Sequence, residues 1–273
     1  MSSVLEPEPS LGGTALLIVD PQADFHEGGS LAVPGATDDA ERIAQLIAVQ
    51  SKHIDEIIVT LDSHHRLDIA HPKFWTDGSG RGSHPMPFTL IKSVDIQHGT
   101  WVPVQEEYKE HCMEYTRKLE EGGKFTSLCG PSIAWLIPPT APIDTQIGTP
   151  GHAVNAVINR AIQEWAAVRK KRVTYFQKGE HPLTEQYSCF TAEVPVEGDE
   201  ANDKGRAMLA KLCSRDSVLV CGQASSHCVN FSARDLAAAW RRTTGGARGR
   251  RNCSATDGKP GVTQGRHVAR HWV

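Results

Sequence analysis

Thr14-Ala-Leu-Leu-Ile-Val19 is a continuous apolar run that ends directly before an acidic residue, Asp20. A run without alternating polar residues predicts a strand that is buried on both faces, as in a parallel sheet. A second run, Glu56-Ile-Ile-Val-Thr-Leu61, also ends before an aspartate, Asp62. These two segments decide the fold class, because a strand buried on both faces needs a layer of helices on each side of its sheet.

Two more strands and four helices complete an alternating pattern along the chain. The other short apolar runs predict strands at residues 173–176 and 217–221. Apolar side chains at helical spacing predict helices over residues 38–52, 153–170, 202–213 and 229–240. Strands that alternate with helices predict an α/β fold, a doubly wound and mostly parallel sheet with helices on both faces. Residues 81–149 show little periodicity and predict no element.

The composition excludes several classes of protein. The 273 residues carry 29 basic and 32 acidic side chains, a net charge of −3, which argues against binding nucleic acid by neutralising phosphates. The seven cysteines contain no Cys-x-x-Cys pair, which argues against a disulfide framework or a zinc finger. No apolar run approaches the roughly 20 residues that span a bilayer, and residues 1–13 show no secretory signal. We therefore expect a cytoplasmic protein that binds neither nucleic acid nor membrane.

The charge is distributed unevenly between the body of the chain and its end. Residues 237–273 contain eight Lys or Arg and one Asp, a net charge of +7, whereas the preceding residues carry −10. Past the helix predicted to end at Trp240, this end is rich in Gly and shows no further strand or helix pattern. We therefore predict a domain over residues 14–236 and a basic tail over residues 237–273. The tail is either disordered and binds anions or is translated out of frame, and the abrupt end of helix 229–240 favours the second interpretation.

Polar side chains follow every predicted strand at the point where it ends. Asp20 follows the first strand, and Asp62 and His64 follow the second. Lys178 follows the third, and the loop after the fourth leads to Cys228. Because the carboxyl ends of parallel strands meet at one edge of the sheet, where ligands bind, we expect these side chains to converge.

Cys228 is the candidate nucleophile, because it lies where a loop enters a predicted helix. The helix dipole and a nearby Lys178 are expected to lower the pKa of its thiol, and Asp20 is placed to accept the thiol proton. Backbone N–H groups of Cys228 and of a preceding loop residue are candidates for an oxyanion hole. The alternatives are a buried structural thiol at Cys228 and a simple salt bridge between Lys178 and Asp20.

Asp62 and His64 form a candidate metal site, because residues two apart on an extended segment point to the same side. A carboxylate and an imidazole suit a divalent metal such as Zn²⁺, Fe²⁺ or Mn²⁺ with open positions for water. Two ligands do not make a site, and His71 is a candidate third ligand from the same loop. The alternative is a polar loop that carries solvated histidines.

Several short motifs occur in a fixed order between about Thr14 and Asp235. They are Ile18-Val-Asp-Pro-Gln-Ala-Asp-Phe25, Gly28-Gly-Ser-Leu-Ala-Val33, Leu61-Asp-Ser-His64, Gly148-Thr-Pro-Gly-His152, Lys178-Gly179, Tyr187-Ser188 and Gly222-Gln-Ala-Ser-Ser-His-Cys-Val229. No single motif is decisive, but the ordered set is highly specific. In this order the motifs resemble those of nicotinamidases in the isochorismatase-like cysteine hydrolase superfamily.

The resemblance implies a doubly wound α/β hydrolase of a linear amide C–N bond, which converts nicotinamide to nicotinate and ammonia in NAD salvage. It implies a catalytic triad of Asp20, Lys178 and Cys228, with a thioester formed on the cysteine. It places the oxyanion hole on the N–H groups of Ala224 and Cys228, and a cis peptide bond before Ala224.

The resemblance also implies which residues bind the substrate and the metal. Phe25 matches a position that stacks on the substrate ring, and Tyr187 lines the pocket. Asp62 and His64 match two ligands of a divalent metal (Zn, Fe or Mn), which binds the pyridine nitrogen and positions the ring. Members of the family are often homo-oligomers, and this sequence contains no separate signal for an interface.

The chain departs from the family at the third common metal ligand, the histidine of a Trp-Pro-x-His-Cys motif. No histidine occurs between Ile133 and Ile147. The stretch Cys129-Gly-Pro-Ser-Ile-Ala134 can be encoded by TGT GGC CCG AGC ATT GCC, which reads Trp-Pro-Glu-His-Cys from its third base. Our hypothesis is a frame-shifted or mis-spliced copy of the ligand loop, and a continuous frame through this stretch in the mature transcript would refute it.

Two alternative functions stay open at this point. The first is another hydrolase of the superfamily, acting on a carbamoyl or ureido substrate. Asp62 and His64 argue mildly against it, because this pair is characteristic of the nicotinamide branch. The second is an inactive product of a damaged gene, which the missing third ligand supports.

Overall fold

The computed structural model describes residues 12–86, 89–122, 145–243 and 252–255, and these contain seven strands and six α-helices. The strands are β1 (Thr14–Val19), β2 (Glu56–Asp62), β3 (Trp75–Asp77), β4 (Trp101–Pro103), β5 (Thr174–Lys178), β6 (Ser217–Gly222) and β7 (Asn252–Ala255). The helices are α1 (Ala36–Gln50), α2 (Ser93–Gln97), α3 (Lys109–Glu121), α4 (Ala156–Arg169), α5 (Glu200–Cys213) and α6 (Cys228–Thr243).

The main sheet has five parallel strands in the order β5-β2-β1-β6-β7. The chain begins in the centre with β1, proceeds outward to β2 and β5, and then returns to the other side of β1 as β6 and β7. This is the doubly wound order that the sequence predicts, with a topological switch point between β1 and β6. All four predicted strands and all four predicted helices are present within a few residues of their predicted bounds.

The central strand β1 shows why the fold needs two helical layers. Leu16 and Ile18 belong to a core cluster with apolar residues of α1 and α4, on one face of the sheet. Leu17 and Val19 belong to a second cluster with residues of α5 and α6, on the other face. Successive side chains of a strand point to opposite faces, so a six-residue apolar run supplies both clusters at once.

Polar side chains fix where the helices begin. The Asn155 side chain accepts a hydrogen bond from the backbone N–H of Val157 (3.0 Å), which caps α4. The Asp199 side chain accepts one from Asn202 (3.1 Å) and caps α5. Because such caps satisfy N–H groups that have no partner within the helix, they set helix starts that apolar spacing alone misses by two or three residues.

A small lobe is built from the stretch that shows little periodicity. It contains the antiparallel pair β3–β4 together with α2 and α3, which surround an apolar cluster that includes Trp75, Ile96 and Tyr115. The sequence pattern predicts none of these elements. Their strands are three residues long, too short for a period of two to be recognised.

The end of the chain corrects one expectation. Beyond the helix predicted to end at Trp240, no further strand or helix was expected, but α6 continues to Thr243 and residues 252–255 form β7 beside β6. The boundary at 236/237 therefore falls inside a helix. The remaining tail residues lie outside the described part of the chain. Within the described part, no helix is long and apolar enough to cross a membrane.

Candidate active site

Four chemically active side chains meet at the carboxyl edge of the sheet, next to the switch point. Asp20 follows β1, Asp62 and Lys178 end β2 and β5, and Cys228 begins α6. The strand register brings them together, because Asp62 lies beside Lys178 and the end of β1 lies beside the end of β6. All four are buried. The predicted convergence of Asp20, Lys178 and Cys228 is present.

Gly222, the last residue of β6, permits this close approach of loop and strand. Its φ of +126° is in the region that favours glycine. A Cβ atom there would lie 1.9 Å from the carbonyl oxygen of Val19. Only glycine therefore lets the loop before Cys228 leave the sheet directly against the end of β1.

Lys178 is the centre of the cluster. Its Nζ lies 3.1 Å from Asp20 Oδ2, 2.7 Å from Asp62 Oδ1 and 3.6 Å from Cys228 Sγ. It also donates a hydrogen bond to the carbonyl oxygen of Gln186 (2.8 Å). Burial alone would lower the pKa of Lys178, but the Asp20 and Asp62 carboxylates outweigh it and hold the pKa well above its usual value. The buried amine is therefore a fixed positive charge.

Asp20 is held in one orientation by Thr60 on the neighbouring strand. Thr60 Oγ1 donates to Asp20 Oδ1 (2.6 Å), and its carbonyl oxygen accepts from the Asp20 N–H (3.1 Å). This leaves Oδ2 facing the Lys178 ammonium group, at 3.1 Å. The φ of Asp20 is +46°, a conformation that aspartate adopts only with support from its surroundings. Burial raises the pKa of Asp20 above its usual value, and the positive charge of Lys178 opposes that rise only in part.

The structure corrects the expected ionisation of Cys228. A lowered thiol pKa is the expectation from the helix dipole and Lys178, but burial raises the pKa of Cys228 well above its usual value. Lys178 opposes the rise, whereas Asp20 and Asp62 add to it by repelling a second negative charge. The resting group is therefore a thiol, and it needs a base. Asp20 and Cys228 both contact Lys178 Nζ, so Asp20 is the candidate for that base.

The loop before Cys228 has the geometry that the resemblance implies. The Gln223–Ala224 peptide bond is cis. Cys228 is the first residue of α6, so its N–H is one of the four at a helix start that have no partner within the helix. The carbonyl oxygen of Ala224 accepts bonds from His227 (3.1 Å) and Val229 (3.2 Å), which fixes the loop on the helix.

Asp62, His64 and Glu185 form a buried cluster that can hold a metal ion, with one ligand atom of each within 4.8 Å of the others. His64 Nε2 lies 3.2 Å from Asp62 Oδ2 and 3.9 Å from Glu185 Oε1. Two carboxylates and an imidazole are donors that Zn²⁺, Fe²⁺ and Mn²⁺ accept, and two buried carboxylates favour a bound cation. These residues therefore fit a divalent metal.

The side chain of Gln22, which was not among the predicted site residues, holds the main chain of Asp62. Gln22 donates from Nε2 to the Asp62 carbonyl oxygen and accepts at Oε1 from the Asp62 N–H, both at 2.7 Å. The amide thus continues the β1–β2 pairing beyond the end of β1. Its place in the Asp-Pro-Gln stretch after a buried strand was the available signal.

Glu185 is the ligand candidate that the sequence did not reveal. It lies in the loop after β5, seven residues beyond Lys178, and no spacing rule marks it. Burial raises the pKa of Glu185, and the positive charge of His64 opposes that rise. Its N–H donates to Tyr115 Oη of the small lobe (3.1 Å), so the lobe helps to position it.

His71, the third ligand predicted from the sequence, lies beside the cluster and outside it. Its ring centroid is 5.0 Å from that of His64. Among the described residues, the three that bring ligand atoms within 4.8 Å of one another are Asp62, His64 and Glu185. The backbone N–H of His71 donates to the carbonyl oxygen of Asp68 (2.8 Å), so His71 belongs to the turn that follows His64. Burial lowers the pKa of His71 to about 4, so the ring is neutral at physiological pH.

The two predicted substrate-binding residues occupy different surroundings. Tyr187 belongs to the core cluster that contains Cys228, and its ring lies 5.8 Å from that of His227 and 5.7 Å from that of Phe231. Phe25 is buried in a small separate cluster with Leu31. Their roles in binding stay predictions. The Trp-Pro-x-His-Cys hypothesis concerns residues 129–134, which lie outside the described part of the chain.

Comparisons with known proteins found similarity to solved structures but to no family model or curated sequence. The Acinetobacter baumanii nicotinamidase/pyrazinamidase aligns at a TM-score of 0.49 and 20% identity, over 85% of this chain and 80% of that one. The yeast nicotinamidase aligns at 0.45 and 17%, over 82% of each chain.

The pyrazinamidase of Pyrococcus horikoshii in complex with zinc aligns at a TM-score of 0.41 and 17% identity, over 89% of this chain and 98% of that one. TM-scores below 0.5 at such identities decide neither fold nor activity. The fold is given by the strand order and register, and the activity has to follow from the site.

Proposed function

We propose that this protein is a metal-assisted cysteine amidohydrolase that converts nicotinamide and water to nicotinate and ammonia. The observation that carries the proposal is the position of Lys178 Nζ within 3.6 Å of the Cys228 thiol and within 3.1 Å of two carboxylates. Acid, amine and thiol arranged in this way suit acyl transfer to sulfur. The identity of the amide follows from the motif resemblance.

In the proposed reaction, Cys228 is the nucleophile and Asp20 transfers the protons. Asp20 takes the thiol proton as the sulfur attacks the carboxamide carbon, and then gives that proton to the leaving nitrogen, which departs as ammonia. The acyl group is now a thioester on Cys228. Asp20 takes a proton from water as the water oxygen attacks the thioester carbon. The C–S bond then breaks and Asp20 returns this proton to the sulfur, which restores the thiol, while the carboxylic acid product loses its remaining proton to solvent and leaves as nicotinate. The raised pKa of Asp20 suits a group that both accepts and donates.

Lys178 and the loop before α6 stabilise the charges that develop. Lys178 is fixed beside the sulfur, so its charge favours thiolate character during the attack. We assign to the N–H groups of Ala224 and Cys228 the binding of the oxygen of the tetrahedral intermediates. Tyr187 and Phe25 are the aromatic side chains that we assign to the pyridine ring.

Asp62, His64 and Glu185 are the residues that would hold the metal, with His71 beside them. The bound metal would supply a Lewis acid that binds the pyridine nitrogen and orients the ring. Lys178 contacts both Asp20 and Asp62, so one ammonium group links the nucleophile to the metal-binding residues.

The test is ammonia release by the purified chain with Zn²⁺, Fe²⁺ or Mn²⁺ supplied in turn. Nicotinamide is compared with pyrazinamide, a carbamoyl compound and a ureido compound. We expect release from the pyridine amide, with a loss of about 10⁴–10⁶-fold in kcat for Cys228→Ala. Cys112→Ala is the matched control, because Cys112 is equally buried but lies in the small lobe.

Two outcomes would contradict the proposal. Ammonia release from the ureido or carbamoyl compound alone would assign the site to another substrate. A Cys228→Ala variant as active as the wild-type chain would remove the cysteine from the mechanism.

A further inference from the structure

The two ring nitrogens of His64 have different surroundings. Nε2 faces the candidate metal-binding cluster, at 3.2 Å from Asp62 Oδ2 and 3.9 Å from Glu185 Oε1. Nδ1 faces the opposite way and lies 3.4 Å from Oδ2 of Asp68. Asp68 is completely buried and is not one of the three clustered ligand residues.

The Asp68 carboxylate is held in place by its own turn. Its Oδ1 accepts a hydrogen bond from the N–H of Ala70 (3.0 Å), which leaves Oδ2 directed at His64. The next residue, Ile69, donates to the carbonyl oxygen of Pro182 (2.9 Å). This bond ties the Asp68 turn to the loop that carries Glu185, so ligand and turn keep a fixed separation.

We propose that Asp68 is a positioning residue for metal binding, which holds His64 with hydrogen on Nδ1 and leaves the Nε2 lone pair free for the metal. A carboxylate only accepts hydrogen bonds, and a neutral imidazole has one donor and one acceptor nitrogen. Both ring nitrogens face a carboxylate in this structure, but Asp62 at Nε2 is itself a candidate ligand, whereas Asp68 at Nδ1 lies outside the ligand set. When a metal takes the place of the hydrogen on Nε2, Asp68 therefore keeps the hydrogen on Nδ1. The inference rests on the metal site of the proposed function, and it adds a residue outside the ligand set.

The size of the effect follows from how such partners act. A carboxylate behind a ligating histidine fixes the ring and makes its metal-binding nitrogen more basic, and its removal costs about 10–100-fold in metal affinity. Asp68 lies four residues from His64 on the same loop, so it needs no other element to reach the ring.

Asp68→Asn is the decisive variant, because it keeps the hydrogen bond that forms the turn and changes only the group that faces His64 Nδ1. The asparagine oxygen can still accept from Ala70, so the turn is kept. Its NH₂ group then faces His64 Nδ1, which must become an acceptor, and the hydrogen moves to Nε2 and blocks the metal. Zn²⁺ affinity is measured by competition with a chromophoric chelator in the absence of substrate. We expect Kd to rise by about 10–100-fold.

Asp77→Asn is the matched control. Asp77 also accepts a hydrogen bond from the backbone N–H two residues on, that of Ser79 (3.2 Å), but it lies on an exposed turn of the small lobe. Its Kd for Zn²⁺ should equal that of the wild-type chain. A Kd for Asp68→Asn that also equals the wild-type value would overturn the proposal.

A second measurement does not depend on the variant folding. In the Zn²⁺-loaded wild-type chain, ¹⁵N NMR of the His64 ring should show hydrogen on Nδ1 and metal on Nε2. The reverse assignment, or no Zn²⁺ binding at all, would overturn the role of Asp68. Zn²⁺ binding that is intact in a chain releasing no ammonia would instead count against the proposed function alone.

Discussion

The two ends of the main sheet carry the same types of charged residue with opposite consequences. At the amino end, Asp55 pairs with Lys171 (3.2 Å), and their side chains are 39% and 37% exposed. Glu56 pairs with Lys211 and Arg215 beside them. At the carboxyl end, Lys178 lies between Asp20 and Asp62, and all three are fully buried.

The pKa values of Asp55 and Asp20, one at each end of the sheet, are shifted in opposite directions. Asp55 accepts a hydrogen bond from the N–H of Thr14 at the start of β1 (3.0 Å), which lowers the pKa of Asp55. Burial raises the pKa of Asp20 at the other end of the same strand. The amino-end aspartate therefore stays ionised and stabilises the fold, whereas the carboxyl-end aspartate is ready to exchange a proton. Burial alone does not decide the direction, because the equally buried Asp62 has a lowered pKa: its desolvation is outweighed by the charges of Lys178 and His64.

Replacing the two lysines should show the largest contrast. Lys178→Met leaves two buried carboxylates without their cation, so we expect a loss of about 3–5 kcal/mol in the free energy of unfolding. It should also lower kcat by more than about 10³-fold. Lys171→Met removes a partly exposed pair and should cost less than about 1 kcal/mol, with kcat unchanged. Urea denaturation measures the free energy of unfolding, and the ammonia assay measures kcat. Equal losses for the two variants would show that the buried and the exposed lysine do not differ in their contributions.

The pH at which the Cys228 thiol ionises is a second test of how burial acts at the carboxyl end of the sheet. Because burial raises the pKa of its thiol, the ultraviolet absorbance of thiolate, taken as wild-type minus Cys228→Ala, should show no step up to pH 9.0. Absorbance reports ionisation directly and does not depend on access of a reagent to the buried sulfur. A step in the neutral range would show that the Cys228 thiol is already ionised there, as the helix dipole predicts. Asp20 would then be less necessary as a base.

The smallest effect is expected at Asp55. A carboxyl with a lowered folded pKa adds stability above its unfolded pKa of about 3.8, and that stability is lost as the pH falls through the folded value. Asp55→Asn should therefore be less stable than wild type at neutral pH, and the difference should shrink below pH 3.8. Urea midpoints at several pH values measure it. A difference that stays constant with pH would show that the charge of Asp55 plays no part.

The strand core and the convergence of the candidate triad could be predicted because their signals are local. A six-residue apolar run such as Thr14–Val19 can be satisfied only by burial on both faces, and strand ends in a parallel sheet must share an edge. Asp20, Lys178 and Cys228 follow from that rule together with the motif order. The part of the chain with little periodicity gave no such signal, and the lobe containing Tyr115 was missed.

Burial and loop geometry could not be obtained from the residues alone. The direction of the Cys228 pKa shift depends on desolvation and on the Asp62 carboxylate, neither of which a helix start reveals. Glu185 and Asp68 reach the site through loops fixed by contacts such as that between Ile69 and Pro182. Such contacts are long-range and have no period in the sequence.

The central position of Lys178 has a consequence for how the chain assembles. Asp20 and Asp62 are synthesised first and lie on adjacent strands, where two negative charges repel each other once water is removed. The cation that neutralises them is on β5, more than a hundred residues later. The nascent sheet can therefore desolvate this edge only after β5 docks, so an incomplete chain keeps the edge hydrated and cannot form a working centre.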